Sequence, residues 1–191
     1  EHAFAADAVR LTGYVLRDLN IDPKRFTPRS VHSAISATKN DLISPDEYAG
    51  LVTTPPEKRI AEVYREYQVR LQRAGAMDFD DLLVNAVRLF QRNPDVLAEY
   101  QQRFRHVLVD EYQDTNRAQN ELIVLLGKEH RNVCVVGDSD QSIYKFRGAD
   151  IRNILEFERD FPGTKLIALE QNYRSTNTIL RAANAVIENN R

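Results

Sequence analysis

The spacing of hydrophobic residues divides the chain into two parts. In residues 1–75 apolar side chains recur every three or four positions, which places them on one face of an α-helix. The positions with this spacing are Phe4, Ala8, Val15, Leu16, Leu19, Ile60, Val63, Tyr64, Tyr67 and Leu71. Another helix is predicted to begin at Pro28, because a first turn tolerates proline, whereas the prolines and glycine of residues 40–57 predict turns. The first part is therefore predicted to contain helices and no strands.

Beyond residue 75, helical segments alternate with short apolar runs rich in β-branched residues. The runs at residues 106–110, 132–136 and 165–169 are predicted strands. Helices are predicted at residues 79–90, 94–103, 116–126 (with Gly127 as C-cap), 150–160 and 175–187. Strands that alternate with helices are typical of a parallel sheet with flanking helices, so the predicted fold class is α/β. Ligands of such sheets gather at the carboxyl ends of the strands.

Composition and charge narrow the classes of function. The 26 Lys and Arg residues are balanced by 28 Asp and Glu residues, so no general basic surface is available for nonspecific duplex binding. Any contact with DNA must be local. The single cysteine, Cys134, excludes a disulfide framework and a cysteine-based metal site. Without a long apolar run or a signal-like start, we expect no membrane partner and a cytoplasmic location.

The first candidate motif is VLVDEYQDT at residues 107–115, an apolar strand that runs into two adjacent carboxylates. At the end of a strand, Asp110 can hold Mg²⁺, and Glu111 can orient and deprotonate an attacking water. This is the Walker B arrangement of nucleotide hydrolases. The alternative is a strand followed by a charged turn whose carboxylates are only solvated.

The second candidate motif is VVGDSDQSIYKFRGA at residues 135–149, a strand followed by a polar loop. The neutral amide of Gln141 can sense a phosphate oxygen, the aromatic rings of Tyr144 and Phe146 can stack on unpaired bases, and Arg147 can reach the backbone. One loop would then contact both a nucleotide and DNA. The alternative is a capping loop with both rings tucked into the core.

The third candidate motif is LEQNYRS at residues 169–175, which places an aromatic residue and a cation at another predicted strand end. Tyr173 can stack on adenine, and Arg174 can neutralise charge that develops on a γ-phosphate. The alternative for Arg174 is a surface salt bridge. A weaker signal, MDFDDLL at residues 77–83, is explained by a helix dipole that favours acidic residues at its start.

These four segments together resemble, in order and character, the motifs of the UvrD/PcrA/Rep family of superfamily 1 DNA helicases. The first half, with DPKRF at residues 22–26 and SAISATKN at residues 33–40, resembles the helical domain inserted into the first RecA-like domain of that family. The resemblance implies a helical inserted domain at residues 1–75. Residues 76–191 would form the C-terminal part of the first RecA-like ATP-binding domain, with an incomplete parallel sheet, and the start of the link to the second.

The resemblance also implies roles for individual residues. Asp110 would ligate Mg²⁺, Glu111 would be the catalytic base, and Gln141 would couple the γ-phosphate to DNA. Tyr173 would pack on the adenine, and Arg174 would be an arginine finger. The residues expected along the single-stranded DNA path are Phe79, Tyr144, Phe146 and Arg147. The family commonly has Trp where this chain has Phe146, and Phe offers a smaller stacking surface without an indole N–H.

The function implied is part of an ATP- and Mg²⁺-dependent DNA helicase that moves 3′ to 5′ on single-stranded DNA and unwinds duplexes in repair or replication. The helical domain would contact duplex DNA or repair and replication proteins. The phosphate-binding sequence Gly-x-x-x-x-Gly-Lys-Thr/Ser is absent, because the only Gly-Lys pair, at Gly127, has Leu122 at the first glycine position. That loop is expected upstream of residue 1, and the segment alone is expected to be inactive.

Two functions from other classes remain open at this point. A non-catalytic DNA- or protein-binding module could keep the later motifs as scaffold without hydrolysing ATP. A metal-dependent nuclease could be built on the acidic pairs that follow the first two predicted strands, namely Asp110, Glu111, Asp138 and Asp140. The nuclease would leave Gln141, Tyr173 and Arg174 without a role.

Overall fold

Four helices build the first part of the chain. The computed structural model describes residues 2–145 and 148–190, and its first helices are α1 (His2–Asp18), α2 (Pro28–Asn40), α3 (Pro45–Leu51) and α4 (Pro55–Arg73). The prediction of turns alone for residues 40–57 is wrong, because this segment contains α3 and the start of α4. Ser44 accepts a hydrogen bond from the backbone N–H of Glu47, whose carboxylate reaches back to the N–H of Ser44. This capping box turns the following Pro45 from a helix breaker into the first residue of a helix.

The first hydrophobic core lies between α1, α2 and α4. Tyr67 of α4 is fully buried there, and each of the three helices turns one apolar stripe inward, as the spacing predicts. The buried members are Val15, Leu16, Ile21, Val31, Ile35, Val63, Tyr64, Tyr67 and Leu71. The expected helical first part is confirmed. Within the described ranges, no helix combines the length and hydropathy needed to cross a membrane.

The second part alternates helices with a small parallel sheet. Its elements are α5 (Phe79–Arg92), α6 (Pro94–Arg103), β1 (Val107–Val109), α7 (Arg117–Gly127), β2 (Val133–Val135), α8 (Arg152–Leu155), α9 (Phe157–Asp160) and α10 (Asn177–Ile187). Short 3-10 helices occupy Tyr112–Asp114, Ser139–Gln141 and Glu188–Asn190. Strands β1 and β2 pair in parallel, with Leu108 opposite Cys134. The expected α/β class, a helical region followed by an incomplete parallel sheet with flanking helices, is confirmed.

Only one face of the two-stranded sheet is covered in the described part of the chain. Tyr112, Ile123, Phe157 and Phe161 form a buried cluster against the inward valines of both strands. On the other face, the side chain of Leu108 is 78% exposed. Gly127 differs from its prediction, because it is the last residue of α7 and Lys128 is the C-cap. A Cβ at Gly127 would collide with Val133, so the glycine allows the end of α7 to approach β2.

Two predicted elements of the second part are corrected by the structure. Residues 165–169 form no strand, and Leu166 and Leu169 are exposed. A strand requires a neighbour for its backbone N–H and C=O groups, and β1 and β2 pair with each other instead. The helix predicted at residues 150–160 is interrupted at Glu156, which separates α8 from α9.

Candidate functional site

The ends of the two strands lie side by side, as the parallel pairing requires. The backbone pairing of the two strands continues beyond β1 and β2. The N–H of Val136 donates to the carbonyl of Val109 at 2.8 Å, and the N–H of Tyr112 donates to the carbonyl of Val136 at 3.0 Å. The chain then leaves the sheet in two polar loops, residues 110–115 and residues 137–142. The carboxylates of the first motif and the amide of the second therefore begin from adjacent backbone positions.

The buried amide of Gln113 ties the two loops together. Its Nε2 donates to Oε2 of Glu111 at 2.8 Å, and its Oε1 accepts from the backbone N–H of Asp138 at 3.1 Å. The hydroxyl of Ser142 donates to the Gln113 carbonyl at 3.4 Å. The residue is 0% exposed, so this amide is satisfied by the protein rather than by water. Sequence reasoning missed Gln113; its position two residues after Glu111 was the available signal.

The carboxylates of Asp110 and Glu111 lie on the exposed side of the first loop. Oδ1 of Asp110 accepts the backbone N–H of Glu111 at 2.9 Å. Glu111 adopts the left-handed conformation, with φ 50° and ψ 41°, which ends the extended segment and begins the 3-10 turn. The described residues hold no group of three or more His, Cys, Asp or Glu side chains that could enclose a metal. A site with one carboxylate fits Mg²⁺, which is usually held by one or two carboxylates together with phosphates and water.

The second loop orients Gln141 through Asp138. Oδ1 of Asp138 accepts the backbone N–H of Asp140 at 3.0 Å and so caps the 3-10 turn. Its Oδ2 accepts from Nε2 of Gln141 at 2.8 Å. Tyr144 follows at the surface, about one third exposed, whereas the predicted DNA contacts Phe146 and Arg147 lie outside the described residues.

Tyr173 and Arg174 stand apart from this cluster in the described contacts. The backbone N–H groups of Arg174 and Ser175 both donate to Oδ1 of Asn172, at 2.9 and 2.8 Å, which fixes a turn. The ring of Tyr173 is 92% exposed and packs against no described residue of the two loops. The structure thus links the loops that carry Asp110, Glu111 and Gln141, and the nucleotide roles of these three residues and of Tyr173 and Arg174 all stay predictions.

The segment around Phe79 contains a buried ion pair that the sequence did not reveal. Nζ of Lys39 donates to Oδ2 of Asp78 at 2.7 Å and to Oδ1 of Asp81 at 2.8 Å, and the Lys39 side chain is 2% exposed. The hydroxyl of Tyr67 donates to Asp78 at 2.8 Å. Asp78 is also the N-cap of α5, whose first residue, Phe79, is half exposed. The acidic residues at the start of α5 therefore do more than interact favourably with the helix dipole, because their bonds to Lys39 also fix the start of the helix that carries Phe79.

The electrostatics of this ion pair follow from burial and the single cation. Burial by itself raises the pKa of the Asp78 carboxyl, but the Lys39 ammonium, together with hydrogen bonds from the Asp81 N–H and the Tyr67 hydroxyl, outweighs burial and lowers that pKa below its ordinary value. Burial and the neighbouring Asp78 raise the pKa of the Tyr67 hydroxyl, which stays protonated and keeps donating. The Asp78 carboxylate is therefore bonded by the Lys39 ammonium and the Tyr67 hydroxyl, and the Asp81 carboxylate is bonded by Lys39 and the Gln68 amide.

Replacing Gly137 with alanine is expected to destabilise the chain by about 1–3 kcal/mol, because the side chain would be forced into a filled space. A Cβ there would lie 2.6 Å from Oε1 of Gln113 and 2.8 Å from Cδ1 of Ile154. Urea unfolding measures the loss. Gly50→Ala is the matched control, because nothing lies within 4 Å of a Cβ at that position. Equal stability of the two variants would contradict the close packing of Gly137 on Gln113.

Comparison with known proteins places the chain in a family. Residues 5–162 match the family model of the UvrD/REP helicase N-terminal domain. The chain is 50% identical over 185 residues to the ATP-dependent DNA helicase PcrA of Bacillus subtilis (strain 168), an alignment that covers 97% of this chain and 25% of that protein.

Other relatives give the same result. The chain is 54% identical over 176 residues to the ATP-dependent DNA helicase PcrA of Staphylococcus aureus (strain Mu50 / ATCC 700699), covering 92% of this chain and 24% of that protein. It is 51% identical over 176 residues to the ATP-dependent DNA helicase PcrA of Leuconostoc citreum, with the same coverage of both chains. The chain therefore spans about a quarter of the length of the curated relatives it matches. The family model and these identities over nearly the whole chain show that it belongs to the UvrD/REP helicase family.

Proposed function

We propose that this chain is part of an ATP-dependent DNA helicase, called the parent helicase below, that couples hydrolysis of Mg·ATP to movement on single-stranded DNA and duplex unwinding. The observation that carries the proposal is the buried Gln113 amide, which joins the loop of Glu111 to the loop of Asp138 and Gln141. A loop with hydrolytic residues is thereby linked to a loop that continues toward aromatic residues suited to DNA. Such a link is what coupling between a nucleotide and a strand requires.

On the nucleotide side, each residue has a distinct task. Asp110 would hold Mg²⁺, which when bound neutralises charge on the phosphates. Glu111 accepts a proton from the attacking water, and its carboxylate is oriented by Nε2 of Gln113. Gln141, oriented by Asp138, would donate to a γ-phosphate oxygen. The chain supplies no phosphate cradle, since the Gly-x-x-x-x-Gly-Lys-Thr/Ser sequence is absent from its residues. The parent helicase would provide that loop.

On the DNA side, the proposal rests on two partly exposed aromatic rings, those of Phe79 and Tyr144. Phe79 is half exposed at the start of α5, and Tyr144 is partly exposed after the second loop, so both rings can stack on unpaired bases. Phe146 and Arg147 continue the same sequence, and Arg147 would contact the phosphate backbone. Tyr173 would stack on the adenine, and Arg174 would stabilise charge on the γ-phosphate.

The proposal extends to direction and biological setting through the family resemblance. Movement would be 3′ to 5′, and the process served would be DNA repair or replication. Residues 1–75 would act as the helical inserted domain that contacts duplex DNA or partner proteins. The near-neutral charge of the chain implies that such contacts are focused rather than spread over a basic surface.

ATP hydrolysis by the parent helicase is expected to rise on the order of tenfold when single-stranded DNA is added. The isolated 191-residue chain is expected to show no sustained hydrolysis, because it has no phosphate-binding loop. Phosphate release with and without oligo-dT measures both. Binding of oligo-dT to the parent protein without any increase in hydrolysis would instead indicate a non-catalytic binding module, and steady phosphate release by the isolated chain would contradict its proposed dependence on the parent.

A further inference from the structure

Three helix ends meet around one buried amide, that of Asn40. Asn40 is the last residue of α2 and is 9% exposed. Its Nδ2 donates to Oδ1 of Asp80 in the first turn of α5 at 3.1 Å. Its Oδ1 accepts from Nδ2 of Asn116, the N-cap of α7, at 2.9 Å. A single side chain at the end of α2 therefore bonds both the first turn of α5 and the N-cap of α7.

We infer that Asn40 is a positioning residue that couples the DNA-facing start of α5 to the ATP-facing loop at residues 110–115. The inference rests on the proposed function and adds to it a physical connection between the two sites. The connection runs from Phe79 through its neighbour Asp80 to Asn40, and from Asn40 through Asn116 to the end of the Glu111 loop. Asn40 touches neither nucleotide nor DNA in this scheme.

On the DNA side, the segment that carries Phe79 is held by two consecutive residues at the end of α2. Lys39 binds Asp78 and Asp81, and Asn40 binds Asp80. All three aspartates at the start of α5 are therefore bonded by the end of α2. Burial raises the pKa of the Asp80 carboxyl, whereas the hydrogen bond from Asn40 favours its ionised form. A shift of Phe79 would therefore strain the bond from Asn40.

On the ATP side, Asn116 is fixed at the point where the first loop becomes α7. Its Oδ1 accepts the backbone N–H of Gln119 at 2.8 Å, which caps the helix. The residue before it, Thr115, is buried and bonds the carbonyl of Tyr112 through its hydroxyl at 2.7 Å. The carbonyl of Thr115 also accepts from Nδ2 of Asn153 at 2.9 Å. A displacement of Asn116 is thus passed to the loop that contains Glu111.

The geometry of an amide explains why one residue can serve as this connection. The donor and the acceptor are rigidly joined in one plane, so both bonds persist only within a narrow range of positions of α5 relative to α7. When a base that stacks on Phe79 moves the start of α5, either one of the two Asn40 hydrogen bonds must lengthen or Asn116 must move with α5. Helix α5 also packs on α7 directly, so the amide sets the register of an existing contact.

The test uses the parent helicase and compares ATP hydrolysis with and without oligo-dT. Asn40→Ala is expected to lower the DNA-stimulated kcat about tenfold, the size of a typical coupling between sites. Hydrolysis without DNA is expected to change by less than about twofold, because no group that contacts the nucleotide is removed. Asn85→Ala is the matched control, since Asn85 is an exposed asparagine of α5 whose side chain, among the described residues, bonds to Met77 and to neither Asn40 nor Asn116. It is expected to keep the wild-type stimulation.

A second pair of variants at Asp80 guards against simple misfolding of the first. Asp80→Ala removes the acceptor for Asn40 and is expected to lose stimulation as Asn40→Ala does. Asp80→Asn keeps an oxygen that can accept from Asn40 and is expected to retain stimulation to within about twofold. Equal losses in Asp80→Asn and Asp80→Ala would overturn the inference, because the hydrogen bond would then not be what matters.

A double-mutant cycle with Phe79 separates coupling from a merely structural role. If Asn40 acts through Phe79, then Asn40→Ala lowers the stimulated rate by less than about twofold further in a Phe79→Ala background. Independent, multiplying losses would overturn the inference, as would wild-type stimulation in Asn40→Ala. Absence of stimulation in the wild-type parent would instead overturn the proposed function and this inference with it.

Discussion

Glu111→Gln in the parent helicase is expected to reduce DNA-stimulated ATP hydrolysis by at least about 100-fold, the low end of what a general base contributes. Glutamine has the same shape, and its Oε1 can still accept the hydrogen bond that Nε2 of Gln113 gives to Glu111 at 2.8 Å. The loop geometry is therefore kept while the proton acceptor is removed. Stopped-flow phosphate release measures the rate, and a fluorescent ATP analogue measures binding, which is expected to stay unchanged.

An exposed glutamate beyond the site provides the control for this variant. Glu129 follows α7 and makes no hydrogen bond or ion pair among the described residues, so Glu129→Gln is expected to leave the rate unchanged. A loss of less than about tenfold in Glu111→Gln would contradict the assignment of the base. A parallel loss of nucleotide binding would show instead that the Glu111 charge serves the binding of Mg·ATP.

Lys39→Met is expected to destabilise the chain by about 3–5 kcal/mol, the usual cost of removing one partner from a buried ion pair. Methionine fills a similar volume, but the carboxylates of Asp78 and Asp81 would lose their ammonium, which bonds them at 2.7 and 2.8 Å. Urea unfolding of the chain measures the loss. Arg59→Met is the matched control, because the Arg59–Glu62 ion pair is exposed on both sides and is expected to contribute less than about 1 kcal/mol.

The stability difference between wild type and Lys39→Met is expected to depend on pH. In the wild type the pKa of Asp78 is lowered, so the stability it contributes is present above its ordinary pKa and is lost as the pH falls through the lowered value. Without Lys39, burial is expected to raise the pKa of Asp78, so Asp78 is protonated at a higher pH in the variant. Protonation removes the buried unpaired charge and with it part of the loss of stability. The deficit should therefore shrink between about pH 7 and about pH 4. A deficit that is constant over this range would contradict the electrostatic cause.

Elements that depend on interactions between residues close in the sequence were predicted correctly more often than features that depend on distant residues. Helices α5 and α6 and strands β1 and β2 could be predicted because periodicity, caps and prolines are local signals. Helix α3 was missed because Pro45 was weighed as a breaker, although Ser44 and Glu47 form a capping box around it. The apolar run at residues 165–169 has the composition of a strand, but pairing is a property of neighbours and not of the run itself.

The same distinction holds for the site. Asp110 and Glu111 could be found because a strand that ends in two carboxylates is visible in nine consecutive residues. The partners of Lys39 lie 39 and 42 residues along the chain, so its burial and its role could not be read from its own surroundings. Asn40 depends on a residue 76 positions away and was missed for the same reason.

The amide of Gln113 carries no ionisable group, in contrast to the charged cluster around Lys39. Its bonds to Glu111 and to the N–H of Asp138 are partly buried and do not require a second full charge to form. Added salt, which screens exposed charges over about 10 Å, should therefore weaken the attachment of phosphates and DNA while leaving the alignment of the two strand ends unchanged. At high ionic strength the parent helicase is therefore expected to dissociate from DNA while the hydrogen bonds of Gln113 between the two loops stay formed.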